Sequence, residues 1–451
     1  MLYTKTIGKE QTTYDLIVCG GGMSGFATAF CAAEEGLNVI LIERGTCIGG
    51  TCTQGLVNHI LGGRTYENGK LVTGIGGLYA RLEKILLKNA TAVDVNTIDM
   101  TNPPQGWYPN LAAGVAVNGE KLKLILEQML LENKVKILYN TDIIDVVKDD
   151  NGKLQGVVVH NKKGLYCIEG KYFADATGDA DICGFADSPY MIGDENGGVA
   201  PSSLELHVDN IDVDELSEYM KKTDDRRFRK IIPSLREQGI WDFPYEIFIS
   251  VMLTEKDVFM INTNRMVGID GLDADSLTQG IIEARKENFK LLDIMRKYFP
   301  GFKNARIRNV ASMFGVRESR RIVGEYVLTV DDLAEEKNFN DAIAYSVYGW
   351  DLPDPKKPSH QPHFQKHKSL YTPIPYRCLL PQKVDNLIAV GRCISVERPV
   401  LGPLRVMGPC IAMGEAAGYA TKLAISNNVK YKDVDIERLK ERIIEKGGIL
   451  L

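Results

Sequence analysis

The stretch of sequence that decides the fold is Tyr14-Asp15-Leu16-Ile17-Val18-Cys19-Gly20-Gly21-Gly22-Met23-Ser24-Gly25. Its apolar residues 16–19 predict a buried strand, and the alanine-rich residues 26–35 that follow predict a helix. A second apolar run, residues 37–42, ends at the acidic Glu43, which is placed to bind a ribose hydroxyl. A strand, a glycine turn, a helix, a strand and a terminal acid in this order predict a βαβ dinucleotide-binding site.

The residues of this turn have separate predicted tasks. Gly20 allows the chain to turn sharply, Gly22 lets the backbone reach a pyrophosphate, and Gly25 lets the helix pack against the strand. The phosphates are expected at the helix N-terminus, beside Met23 and Ser24, where free N–H groups and the helix dipole favour negative charge.

The composition describes an ordinary globular chain that is longer than one typical domain. It has 451 residues, of which 44% are hydrophobic and 25% charged, so we expect two domains with substantial cores. The net charge of -5 argues against nucleic acid as the main partner, because phosphate binding needs clustered Lys and Arg. The first thirteen residues lack the apolar core of a signal peptide, and no apolar run reaches membrane-spanning length. We therefore expect a soluble, cytoplasmic protein that binds neither nucleic acid nor a membrane.

Cysteine and histidine spacing indicates neither a disulfide framework nor a metal site. The nine cysteines are odd in number and contain no CxxC pair, which favours reduced thiols. His360, His363 and His367 have a spacing that could suit a metal, but Pro358 and Pro362 interrupt any helix that would align them. We expect no metal, and a substrate-facing role for one of these histidines stays open.

Beyond the first motif, the pattern predicts one domain interrupted by another. Residues 143–147, 154–160 and 165–169 alternate around turns and predict a three-stranded antiparallel meander, and residues 171–175 predict a further sheet strand. The predicted fold class is α/β, with a discontinuous Rossmann-like domain, 1–187 and 371–451, that contains a parallel sheet and the meander. An α+β substrate or cap domain, 188–370, is inserted in it.

Several short motifs, most of which contain glycine, are spread over both ends of the chain. They are residues 20–25, 43–44, 49–51, 175–179, 376–379, 386–392, 405–408 and 414–418, and the middle adds residues 317–324. Together they resemble the FAD-dependent oxidoreductases of the glutathione-reductase-like fold, with more distant similarity to fumarate reductase flavoproteins and tRNA uridine-modifying flavoproteins.

The resemblance implies one FAD, bound in an extended form and without a covalent link. It implies that Glu43 holds the adenosine ribose, that Arg44 lies near the adenine, and that the backbone of Ile144 contacts the adenine. The helix that begins near Met407 and Gly408 would direct its positive end at the flavin pyrimidine ring. The other implied FAD contacts are Gly50, Thr51, Ala176, Gly178, Gly391 and Arg392.

Two positions depart from the flavin disulfide reductases and narrow the expected chemistry. Those enzymes need a second redox cysteine five residues after Cys52, and that position is Val57, while Cys47 precedes the glycine turn. They also need a second nucleotide fingerprint for NAD(P)H, and in residues 74–79 Tyr79 replaces the third glycine. We therefore expect neither a redox disulfide nor an NAD(P)H domain. Electrons must enter or leave through the substrate or an external carrier.

The candidate catalytic residues are Arg317, Glu318, Arg320 and His59. Paired arginines suit a carboxylate because each guanidinium can bind it through two hydrogen bonds, and an ion-paired structural cluster is the alternative. His59 follows the flavin-side loop and suits proton transfer near neutral pH, with a structural histidine as the alternative. Arg405 lies between flavin-side motifs and could bind phosphate, substrate or a neighbouring acid.

The sequence predicts an FAD-dependent oxidoreductase that transfers a hydride between flavin N5 and a small organic substrate that could bear a carboxylate. Two alternatives stay open. One is a non-catalytic or electron-transfer flavoprotein subunit of a complex, and the other is a tRNA-modifying flavoprotein, which would carry a further helical domain. We expect a small-molecule substrate and leave a redox partner or a homo-oligomer open.

Overall fold

The computed structural model describes residues 7–100, 103–107, 109–357 and 369–451, and these form a mixed α/β fold, which confirms the predicted class. The strands are β1 (Gly8–Cys19), β2 (Val39–Ile42), β3 (His59–Ile60), β4 (Arg64–Glu67), β5 (Lys70–Thr73), β6 (Val115–Ala116), β7 (Lys136–Leu138), β8 (Asp142–Lys148), β9 (Leu154–Asn161), β10 (Gly164–Asp175), β11 (Tyr190–Ile192), β12 (Leu206–Asp209), β13 (Ser250–Met252), β14 (Phe259–Ile261), β15 (Arg306–Val310), β16 (Arg320–Ile322), β17 (Ala342–Ser346), β18 (Thr372–Pro375) and β19 (Leu387–Ala389). The α-helices are α1 (Met23–Glu34), α2 (Gly77–Lys88), α3 (Pro109–Ala112), α4 (Gly119–Glu132), α5 (Asp181–Phe185), α6 (Val213–Thr223), α7 (Ile232–Glu237), α8 (Ala274–Tyr298), α9 (Val330–Ala334), α10 (Leu401–Leu404), α11 (Met407–Asn427) and α12 (Ile436–Glu445).

The largest sheet has the strand order β7-β2-β1-β10-β9-β8, and β19 also pairs with β10. Strands β7, β2, β1, β10 and β19 run parallel, so the two apolar runs of the opening motif lie side by side. Strand β19 comes from near the C-terminus, yet it completes the sheet that β1 begins. The carboxyl ends of the parallel strands meet at the glycine turn, which is the edge where open sheets of this kind bind ligands.

Strands β8, β9 and β10 form the antiparallel meander. The sequence predicts two separate strands over residues 165–169 and 171–175, whereas the structure has one strand, β10, through both. The strand continues through Gly170 because both of its halves pair with β1. Its first half also pairs with β9 and its second half with β19, so one long strand joins the meander to the parallel sheet.

Helix α1 begins at the glycine turn and lies close to it. A Cβ atom at Gly25 would lie 1.9 Å from the carbonyl oxygen of Gly20, so this position needs glycine. Helix α11, predicted as a small-residue-rich helix over residues 408–427, packs against α1. Within the described ranges, no helix has both the length and the apolar character that crossing a membrane requires.

A second hydrophobic core lies between Leu206 and Ala305, on the sheet β13-β14-β12-β15 and helix α8. The predicted inserted domain, 188–370, is larger than this core. Leu328 and Leu352 belong to the core of the first domain, and β17 pairs with β18 across position 370. The domain boundaries stay a prediction, because composition along the chain does not show which side chains bury one another.

Candidate functional site

A cavity of 1190 Å³ opens at the carboxyl ends of the parallel strands. Residues of the glycine turn, of the C-terminal segment and of the second core line it together. Ligand pockets commonly enclose about 300–1,000 Å³, so this cavity has room for a cofactor and a substrate at once.

The glycine turn forms one wall of this cavity. Gly20 has a φ angle of 103°, and a Cβ atom added at Gly22 would meet no protein atom within 4 Å. Met23 and Ser24, the first residues of α1, also line the cavity. The turn therefore leaves open space at the N-terminus of α1, as the close approach of a pyrophosphate requires.

Glu43 lies at the end of β2, where the backbone holds its carboxylate. The residue is buried, and its two oxygens accept hydrogen bonds from the N–H groups of Gly21 (2.7 Å) and Gly45 (2.6 Å). A carboxylate has about four acceptor positions, so these two bonds leave capacity for ribose hydroxyls. The neighbouring Arg44 is exposed and lines the same cavity.

The adenine-side strand β8 brings the residues before Ile144 to the cavity. Ile144 is 43% exposed and does not line the cavity, whereas Thr141, Asp142 and Ile143 do. Side chains alternate between the two faces of a strand, and Ile144 lies on the edge strand β8 with its side chain in solvent. The contact expected of Ile144 is made by its backbone, so it stays a prediction beside the cavity-lining Ile143.

Arg392 follows β19 and lies beside the loop after β10. It lines the cavity with Ala176 and Gly178, and it donates hydrogen bonds to Asp179 (2.7 Å) and Ser319 (2.8 Å). Burial acts to raise the pKa of Asp179, but the charge of Arg392 and the hydrogen bond from Ser319 lower it overall. The ion pair holds the Arg392 guanidinium at the cavity.

Two other predicted contact residues support the wall without lining it. A Cβ atom at Gly391 would lie 2.7 Å from Ser24 Oγ, so this residue packs against α1. Gly408 donates its N–H to the carbonyl oxygen of Leu61 (2.7 Å). The predicted flavin-side residues that do line the cavity are Gly50, Thr51 and Met407.

The two segments that depart from the flavin disulfide reductases, residues 47–57 and 74–79, are largely buried in the structure. Cys47 and Cys52 are buried free thiols, and burial raises the pKa of Cys52 to about 12, which makes it a poor nucleophile at neutral pH. The N–H of Gly77 donates to the carbonyl oxygen of Gly447 (2.7 Å), and Tyr79 is buried. The glycine-rich residues 74–77 therefore pack against the C-terminal segment.

Glu318 and Arg320, two of the predicted catalytic residues, lie outside the lining of the cavity. Glu318 is 1% exposed and accepts hydrogen bonds from Arg321 (2.7 Å) and Arg398 (3.0 Å). Arg320 donates to Asp181 (2.9 Å), and neither Glu318 nor Arg320 lines the cavity. Both side chains form ion pairs away from the arginines of the cavity, and their catalytic role stays a prediction.

Replacing Glu318 by Gln is expected to destabilise the fold. The change keeps the shape but removes the charge shared by Arg321 and Arg398, and a buried ion pair that loses one partner costs about 3–5 kcal/mol. Urea unfolding should show this loss, while the folded fraction keeps its flavin. Wild-type stability together with lost turnover would instead support a catalytic role.

A pair of guanidiniums lies in the cavity at its second-core side. Arg265 and Arg317 both donate to one atom, Asn262 Oδ1, at 3.0 and 3.2 Å, and we call these two residues the arginine pair. Arg405 lines the same cavity and donates to the backbone oxygen of Asp351 (2.7 Å). Of residues 317–321, only Arg317 lines the cavity. Its hydrogen-bond partners, Pro201 and Asn262, come from other segments of the chain.

The protein offsets the charge of the arginine pair only in part. Burial, followed by the charges of Arg265 and Arg405, lowers the pKa of Arg317. Every hydrogen bond that the pair donates within the described residues goes to an uncharged oxygen. Glu205 is a buried carboxyl that lines the cavity near the pair, and burial raises its pKa despite the arginine charges. Asp351 also lines the cavity, its charge acts on both arginines of the pair, and its carboxylate lies 4.0 Å from Arg405. Arg265, Arg317 and Arg405 outnumber these two carboxyls, so an anionic ligand would satisfy the remaining positive charge.

No sequence motif indicated Asn262, Arg265 or Glu205 as site residues. Asn262 and Arg265 follow directly on the apolar strand β14, and a polar cluster at a strand end was the available signal. Glu205 precedes β12 without any motif around it. Only the fold brings these three residues to the cavity.

His59 lines the cavity as predicted but is uncharged there. It is fully buried, its ring lies edge-on to Trp107 with centroids 5.1 Å apart, and both ring nitrogens lack a hydrogen-bond partner among the described residues. Burial lowers the pKa of His59 to about 3. At neutral pH this residue is therefore a neutral hydrogen-bonding group and not an imidazolium acid.

The buried neutral His59 should make the protein less stable as the pH falls. An unfolded histidine takes up its proton near pH 6.5, whereas folded His59 does so only near pH 3. Between these values the unfolded state binds the extra proton, so His59 alone lowers the free energy of unfolding by about 1.4 kcal/mol per pH unit. The variant His59→Phe keeps a ring against Trp107 and should lose this slope in urea unfolding between pH 6.5 and 4.5. Equal slopes would contradict the neutral state.

A metal cluster is absent from the part of the chain that the structure describes. There, no group of three or more His, Cys, Asp or Glu side chains is arranged to hold an ion. His360, His363 and His367 lie outside the described residues, so neither the metal reading nor the substrate-facing reading is tested for them.

The fold and the cavity define a dinucleotide-binding protein built on a Rossmann-like sheet. The chain matches the family described as FAD dependent oxidoreductase over residues 15–443. It therefore belongs to this family and is an FAD-dependent oxidoreductase with FAD as its cofactor. The open space at Gly22, the held carboxylate of Glu43 and the guanidinium of Arg392 fit this cofactor.

Part of the chain is similar to curated proteins. It is 26% identical over 192 residues to fumarate reductase (cytochrome) of Shewanella frigidimarina, and this match covers 37% of this chain and 33% of that protein. It is 27% identical over 173 residues to dihydrolipoyl dehydrogenase of Buchnera aphidicola subsp. Schizaphis graminum, which covers 38% of this chain and 31% of that protein. The matches span about a third of the length of these relatives. Among solved structures, a triple mutant of the flavin-dependent brominase Bmp2 matches 96% of this chain and 84% of its own, with 13% identity and a TM-score of 0.49.

Proposed function

We propose that the protein transfers a hydride between flavin N5 and a small substrate that bears a carboxylate. When bound, FAD supplies the N5 atom that accepts or donates the hydride. The observation that carries the proposal is the arginine pair, whose guanidiniums share Asn262 Oδ1 in the same cavity as the nucleotide-side residues. A guanidinium matches a carboxylate in geometry as well as charge, and the pair donates only to uncharged oxygens within the described residues.

In this proposal the arginine pair orients the carboxylate and Glu205 moves the proton. Glu205 is 4% exposed, lines the cavity, and has an oxygen, Oε2, without a hydrogen-bond partner among the described residues. Burial raises its pKa, which suits a carboxylic acid that keeps a proton until the substrate takes it. Arg405 adds positive charge to the same part of the cavity.

Anaerobic flavin reduction with the purified chain alone tests this proposal. Small carboxylic acids and their uncharged amides are mixed first with the oxidised protein and then with the dithionite-reduced protein, and the flavin spectrum is followed. We expect at least one acid to change the redox state of the flavin and its amide to fail. A chain that stays inert with every acid and turns over only with a second protein would instead identify an electron-transfer subunit.

A further inference from the structure

A row of aliphatic side chains lines the cavity on the second-core side. Ile247, Ile249 and Val251 face the cavity, while Phe248 between them is buried in the second hydrophobic core. This arrangement follows from an extended chain, in which every second side chain faces the same way. Ile247 and Ile249 are half-buried and present hydrocarbon to the cavity, whereas Val251 is 1% exposed and packs with Trp107 behind the cavity surface.

Met260 extends this row onto the next strand. In the antiparallel pair of β13 and β14, Val251 lies directly opposite Met260, and both line the cavity. We call Ile247, Ile249, Val251 and Met260 the aliphatic wall.

The aliphatic wall leads directly to the arginine pair. Asn262 lies two residues beyond Met260, so alternation places both side chains on the same side of the chain. Asn262 accepts the hydrogen bonds from Arg265 and Arg317 that join the pair. A hydrocarbon surface and a carboxylate-binding group are therefore continuous in one cavity.

A second group of apolar side chains lines the same cavity. Leu277 and Ile281 lie one turn apart on α8, and Phe314 and Val316 pack with them. Leu277, Ile281 and Val316 are only half-buried in the protein. A small, fully polar acid would satisfy the arginine pair but leave these surfaces in water, which the hydrophobic effect disfavours.

We propose that the substrate is a carboxylic acid with an apolar body. Its carboxylate binds the arginine pair, and its hydrocarbon part packs on the aliphatic wall. This inference rests on the proposed function, because it uses the same cavity and the same arginines, and it adds the chemical class of the substrate.

The test is the binding of unbranched acids of increasing length to the FAD-loaded protein. Acetate, butyrate, hexanoate and octanoate are titrated, and both the shift of the flavin spectrum and calorimetry report Kd. Burial of each added methylene should lower Kd about threefold to fourfold until the wall is covered. Octanoate should therefore bind far more tightly than acetate.

Two matched variants locate the effect. Ile249→Asn places a polar group in the wall, so we expect Kd to lose most of its dependence on chain length. Ile282 lies on α8 with 48% of its surface exposed and does not line the cavity, so Ile282→Asn should keep the full dependence. Equal length dependence in the wild type and in Ile249→Asn would overturn the role of the wall.

The outcomes separate this inference from the proposed function. A wild-type Kd that does not fall from acetate to octanoate would overturn the proposal that the substrate has an apolar body. Loss of acetate binding in Arg317→Met would in that case still support the proposal that the arginine pair binds a carboxylate. If octanol bound as tightly as octanoate, the carboxylate would contribute nothing to binding. That result would overturn the proposed function and this inference together, because both assign an acid as the substrate.

Discussion

Gly22→Asp is expected to abolish FAD binding while the chain still folds. A Cβ atom at this position meets no protein atom within 4 Å, so the new side chain fits without a clash in the protein. It enters the space at the N-terminus of α1 where the pyrophosphate is expected. Two like charges about 4 Å apart repel by roughly 4 kcal/mol at an effective dielectric constant near 20, which is about a thousandfold in Kd.

The measurement is the ratio of FAD to protein after purification, followed by reconstitution with added FAD. Gly22→Asn has nearly the same size without the charge, so it should weaken binding far less. Circular dichroism of both variants should match the wild type, which shows that the fold is kept. Normal flavin content in Gly22→Asp would refute the phosphate role of this turn, and equal losses in both variants would assign the effect to bulk.

Arg317→Met should remove most of the activity toward acids and leave the fold intact. The change keeps a long apolar stem but deletes one guanidinium of the arginine pair, and losing one partner of a buried charged contact costs about 2–5 kcal/mol. This corresponds to a loss of roughly thirtyfold to several thousandfold in kcat/KM for the acid found in the anaerobic panel. Burial disfavours the Arg317 charge in the free protein, so we expect the melting temperature to be retained.

Arg320→Met is the matched control for this prediction. Arg320 lies in the same short segment as Arg317, but it donates to Asp181 and does not line the cavity. We expect it to lose about 1 kcal/mol or less of stability, with kcat/KM unchanged. Equal kinetic losses in the two variants would show that the segment matters as a whole and would remove the special role of Arg317.

The nucleotide side of the cavity could be predicted because each of its residues directly follows a strand of the parallel sheet. The turn at Gly20 and Gly22 follows β1, Glu43 follows β2, and Ala176 and Gly178 follow β10. Parallel strands bring their carboxyl ends to one edge of a sheet, so a local pattern after each strand indicates the shared site. Ile144 follows the cavity-lining Ile143 on the edge strand β8, and the contact expected of its backbone stays a prediction.

The sequence by itself determined the βαβ unit, because short-range apolar periodicity and glycine spacing specify it. The resemblance of motifs at both ends of the chain to a known family implied FAD and a sheet built from both ends. Only the tertiary structure decided which residues line the substrate side of the cavity. Arg265 and Arg317 come from separate segments and meet at Asn262, while Glu318, next to Arg317, points into an ion-paired cluster. Adjacent residues can face opposite sides and distant residues can share one atom, so the identity of a residue does not show which cavity its side chain reaches.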